Sequence, residues 1–106
     1  MAKLAVSDAL LADVNNYLDN TWKDEARDRK VQGFILSGMA YINGKLGEDA
    51  DYEVEGYPRT LLFEFVRYAR DGAMDLFETN YKSMILDMQN KKAVSDYAQQ
   101  SAVPAQ

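Results

Sequence analysis

From Leu61 to Met88 the apolar side chains return every third or fourth residue, interrupted once, at Asp71-Gly72. That recurrence is the period of an α-helix with one buried face, and a strand cannot satisfy it. The same period appears twice earlier. Leu10, Leu11, Val14, Tyr17 and Leu18 form one series; Val31, Phe34, Ile35, Gly38, Tyr41 and Ile42 form another. No stretch alternates in the manner of a half-buried strand. The pattern therefore predicts an all-α fold, a small bundle of about four helices.

The punctuation between the series places the helix ends. Ser7 is a cap for a first helix over 8–18, with Asp8 in the first turn where the helix dipole favours an acid. Asp19-Asn20 breaks the pattern. Thr21, with Asp24 three residues on, resembles a capping box and starts a second helix over 22–45, ended by Gly47. Gly33 and Gly38 each cost this helix about 1 kcal/mol. Gly38 lies on the apolar stripe, where a close neighbour explains it; Gly33 lies off it and has no such explanation. Residues 47–57 read as an acidic, solvated loop. Pro58 suits the start of a third helix, with Leu61, Leu62, Phe65, Val66 and Ala69 on its inner face. Asp71-Gly72 then interrupts: the stripe stays nearly in phase across it, so one long helix is open, and a break or kink is the preferred reading. A fourth helix then carries Phe77, Tyr81, Met84, Ile85 and Met88, fading near Lys92. Residues 1–92 are thus read as one helical domain, and 93–106 as a flexible tail without periodicity.

Composition narrows the chemistry. The chain has 106 residues, no His, no Cys and a net charge of −5. Missing His and Cys removes the usual general base, the usual metal ligands and thiolate chemistry together. The acidic balance disfavours a nucleic-acid grip through a basic face. The loop from Asp49 fails as a calcium loop, because Val54 stands where Gly is required and Thr60 where a bidentate acid is required. Serines at 7, 37, 83, 95 and 101 have no base to activate them. The expectation is a protein without catalytic residues, metal or cofactor. The alternating run Lys23 to Lys30 reads as a solvated helix face. Neither a signal peptide nor a membrane span is read, which points to a protein made and kept in a cytoplasm.

Some apolar residues fall outside the inner stripes. At 100° per residue, Phe63 lands between Arg67 and Arg70, Leu86 stands roughly opposite Phe77, and Leu36 is off the main stripe of the second helix. Together they point to a protein–protein surface made of Leu36, Phe63, Arg67, Arg70 and Leu86.

The chain resembles the head–tail connector, or adaptor, proteins of long-tailed bacteriophages. The residues carrying the likeness are Trp22-Lys23-Asp24-Glu25 with Asp28; Ile35, Gly38 and Tyr41-Ile42-Asn43; Asp51-Tyr52-Glu53; and above all 61–89, LLFEFVRYARDGAMDLFETNYKSMILDMQ. The likeness covers about residues 4 to 92, and Gly72 stands where such proteins often carry Asn. It implies a homo-oligomeric ring of about twelve subunits, cyclic rather than isologous. Such a ring sits under the portal protein at the capsid vertex, carries the stopper or tail-completion protein, and encloses a channel through which DNA slides without sequence-specific contact. No catalytic or ligand residue comes with the resemblance. In that setting the tail is a docking arm with Tyr97, Val103 and Pro104 as anchors. The competing expectation is a small helical regulatory protein, encoded by a phage or prophage and acting in solution.

Overall fold

The computed structural model describes residues 4–101. Four helices follow in order: α1 (Asp8–Tyr17), α2 (Glu25–Leu46), α3 (Tyr57–Arg70) and α4 (Met74–Ser101). Among the described residues there is no strand. The all-α expectation holds, with α3 in the middle, packed between α2 and α4, and α1 lying across α2 and α3.

Helix ends follow local chemistry. The Ser7 hydroxyl accepts from the Leu10 N–H at 3.0 Å, the cap expected for α1. The start of α2 differs from expectation. Asp24, not Thr21, is the cap: its backbone is extended and its carboxylate accepts from the Arg27 N–H at 3.1 Å. Trp22 and Lys23 therefore precede the helix. The end of α3 is a Schellman motif. The Ala73 N–H reaches Tyr68 O at 2.9 Å, the Gly72 N–H reaches Ala69 O at 3.3 Å, and Gly72 takes φ 69°. The break read at Asp71-Gly72 is real.

Beyond Lys92 the expectation needs correcting. α4 does not fade there but runs on to Ser101. No Gly or Pro occurs between Gly72 and Pro104, so nothing stops the helix. Lys92 and Asp96 add a pair one turn apart at 2.5 Å. Loss of an inner stripe ends burial, not helicity. Val103 and Pro104 lie outside the described residues.

The core joins Leu10, Val14 and Leu18 of α1 and its end to Val31, Ile35, Met39 and Ile42 of α2. It continues through Leu61, Leu62, Phe65 and Val66 of α3 to Phe77, Ile85 and Met88 of α4. Gly38 marks the tightest point: a Cβ there would stand 2.7 Å from Leu62 Cδ1 and 3.0 Å from Phe65 Cδ1. The absent side chain is what lets α2 close on α3. Phe65 then meets Phe77 edge-on with ring centres 5.4 Å apart, which carries the packing into α4.

The acidic loop is more ordered than a solvated loop needs to be. Tyr52 is buried in the core, and its hydroxyl donates to Asn43 Oδ1 at 2.6 Å. The same oxygen accepts from the Ala50 N–H at 3.0 Å, and Arg59 holds Tyr52 O at 2.9 Å. One asparagine on α2 thus ties down the loop that leads into α3.

Phe77 is 1% exposed and touches Tyr41, Phe65, Tyr68 and Tyr81. Phe77→Ala is expected to cost about 3–5 kcal/mol in chemical unfolding, as loss of a buried aromatic with little room to collapse. A change under about 1 kcal/mol would contradict the core described.

Candidate assembly surface

Two kinds of residue fill the surface predicted from sequence, and the fold separates them. Leu36 on α2 and Leu86 on α4 are 37% and 47% exposed, large apolar side chains left to solvent. Phe63, Arg67 and Arg70 on α3 are instead engaged with the chain itself.

Phe63 is half-buried. The Tyr17 ring meets it edge-on at 5.4 Å, and the Arg59 guanidinium lies 4.6 Å above it. α1 covers the side of α3 that a wheel drawn for α3 alone leaves open. Arg67 makes two hydrogen bonds to Glu64 Oε2, at 2.8 Å and 2.5 Å, and lies over the Tyr68 ring. Arg70 pairs with Asp71 at 2.9 Å and donates to Leu18 O at 3.2 Å, the carbonyl at the end of α1. Arg70 thus ties the end of α1 to α3, while Arg67 holds Glu64, which accepts from the Tyr17 hydroxyl of α1.

Glu64 is the centre of that fastening. Burial pushes its carboxyl pKa upward, but hydrogen bonds from the Tyr17 hydroxyl, Arg67 and Tyr81 outweigh burial and hold it below the usual carboxylate range. The Tyr81 hydroxyl answers in the opposite direction, pushed up to about 12 by burial and then by the Glu64 charge. Three helices therefore meet at one ionised carboxylate.

The outward side of α4 is different. Leu76, Leu86, Val94 and Tyr97 are 52%, 47%, 68% and 71% exposed. Stepping 100° per residue, they fall within an arc of about 80°. Leu76 and Val94 were missed in the sequence; the signal lay in carrying the helical step past Lys92 and back to Met74. A shallow cleft of about 450 Å³ adjoins this stripe, between Tyr57 and the Lys91–Ala98 turns. The outward side of α2 carries Leu36 among small residues: Gly33, Ser37, Ala40 and Gly44 are all exposed.

Among the described residues no group of three His, Cys, Asp or Glu side chains could hold a metal ion, and no helix is long and apolar enough to cross a membrane. Compared with family models, curated proteins and solved structures, the chain finds no match.

The lowered Glu64 pKa gives a pH signature. A carboxyl held below its unfolded value adds stability that is full above about pH 4.3 and is lost as pH falls through the folded value. Glu64→Gln is expected to lower the melting temperature at neutral pH and to flatten its fall in acid. Parallel acid limbs in the two proteins would mean that Glu64 carries none of the dependence.

Proposed function

We propose that the chain is a structural subunit of a phage head–tail connector: a ring between portal and stopper or tail-completion protein, enclosing the DNA channel in the virion. The observation that carries the reading is the apolar stripe of α4, Leu76, Leu86, Val94 and Tyr97, on a body with a complete core of its own. A monomer gains nothing from leaving four large apolar side chains in a line to water, whereas an assembly buries them. The likeness of residues 61–89 to connector proteins names the assembly.

Other properties fit that role. Four helices locked through Gly38 and Phe65 make a firm spacer. With a net charge of −5, a channel wall built from such subunits repels phosphate, so DNA slides past without sticking. Tyr97 stands on a helical arm; an ordered arm loses less conformational entropy on docking to the portal than a flexible tail would.

Native mass spectrometry of the protein, alone and with its portal, tests the reading. The expected result is a closed oligomer, of about twelve copies, at least when the portal is present. A protein that stays monomeric and ignores the portal would remove it. Deleting residues 93–106 is expected to leave the melting temperature nearly unchanged, since among the described residues no core residue lies there, and to weaken portal capture. Equal capture by both lengths would take the arm out of docking.

A further inference from the structure

Gly38 shows what a mid-helix glycine does in this fold: its missing side chain makes room for Leu62 and Phe65. Gly33 and Gly44, on the same helix, do nothing of the kind. A Cβ at either would meet nothing within 4 Å, and neither has the backbone conformation that demands glycine. Both face outward and both weaken α2 relative to alanine. Ser37 and Ala40 continue the same exposed strip between them. Leu36 stands at one edge of this strip; from Gly33 to Gly44 the strip itself is flat and carries no large side chain.

The outward face of α4 has the opposite relief, large side chains along a helix with no cover. Gly33 to Gly44 spans about 17 Å, and so does the Leu86 to Tyr97 part of the stripe, eleven residue steps each at about 1.5 Å per residue. The two faces match in length and are complementary in depth. Charges match at one end as well, where Arg29 and Lys30 precede the strip and Asp87 lies beside Leu86. Asp75 lies beside Leu76. All four are exposed and none forms an ion pair among the described residues. Lys82, beside Asp75, stays with solvent.

We propose that the outward stripe of α4 in one subunit packs along the bare strip of α2 in a second copy of the chain. The proposal rests on the self-assembling reading above and assigns its contact. Small residues let the helix axes approach closely, and Leu86 and its neighbours fill the space left at Gly33, Ser37, Ala40 and Gly44. Where the two faces engage different neighbours, each subunit gives one and receives one and the contact is head-to-tail. A two-fold pair that used both faces at once would read as a dimer by sedimentation velocity and native mass spectrometry. A single helix-on-helix contact about 17 Å long buries well under about 1,000 Å², less than a stable isolated pair needs. Closing the chain of contacts into a ring makes every subunit bind twice, and that offsets the shortfall.

The test separates folding from assembly. Gly33→Leu with Gly44→Leu fills open space on α2, so the melting temperature is expected to hold or rise while self-association weakens about tenfold or more. Leu86→Lys, on the other face, is expected to weaken assembly likewise with helix content intact. Sedimentation velocity and native mass spectrometry read both. Variants that assemble as the parent does would overturn this contact and leave the ring reading standing. A parent monomeric both alone and with the portal would remove the contact together with that reading. A parent that is monomeric alone but binds the portal, through faces that the glycine variant blocks, would assign the strip to the portal and overturn the proposal for a second copy.

Discussion

The closeness of α2 to α3 at Gly38 is the constraint from which the remaining packing follows. With no side chain there, Leu62 and Phe65 press against the α2 backbone. That position aims the Phe65 ring at Phe77 and places Tyr41 5.7 Å from it, where Tyr41 also meets Phe77 at 5.9 Å. Phe77 passes the contact to Tyr68 and Tyr81. Each edge-on or offset pair adds about 0.5–1.5 kcal/mol beyond area burial, and the pairs share rings, so one void weakens several. A methyl group at residue 38 would thus reach as far as α4.

α1 is held both by apolar burial of Leu10, Val14 and Leu18 and by polar contacts from α3. Leu10 and Val14 bury fully, but a helix of ten residues has little more to offer. The rest comes from arginines on α3. Arg59 pairs with Asp13 at 2.9 Å, Arg67 and Tyr17 share Glu64, and Arg70 reaches the Leu18 carbonyl. Exposed ion pairs alone contribute little. Here they act where side chains are partly buried, with Arg59 16% exposed and Glu64 16% exposed. The charges of α3 are therefore committed inward, which leaves the outer faces of α2 and α4 as the surfaces not claimed by the fold.

Much of the architecture was legible in sequence because the helical period is strong where burial is one-sided. Phe65, Phe77, Ile85 and Met88 could be assigned to the core from spacing alone, and Ser7 and Gly72 from cap chemistry. Phe63 could not be placed, because its cover comes from Tyr17, 46 residues away in sequence, and a wheel holds no information about another helix. Tyr52 was hidden for the same reason: five carboxylates surround it in the sequence, while its partner Asn43 sits on α2. The last turns of α4 were missed because a stripe was being sought, and an exposed helix has none on its inner side. Absence of burial was mistaken for absence of structure.

The same lesson bears on the outward faces. Inside the fold a glycine and a leucine that face one another are read as one device, because both are in view. On the surface the two halves are seen apart, as unneeded glycines on α2 and stray leucines on α4. Each alone is an ordinary imperfection of a small domain. Their difference in shape is what makes them informative. A face that were large and flat in equal parts could pair with itself across a two-fold axis and close as a dimer. In the contact proposed, a bare strip on one helix takes a raised stripe from another copy, and unless one partner takes both faces at once the free ends repeat the offer. A cyclic assembly is then the closed form and a filament the open one, the angle at which α4 of one copy would lie on α2 of the next deciding between them.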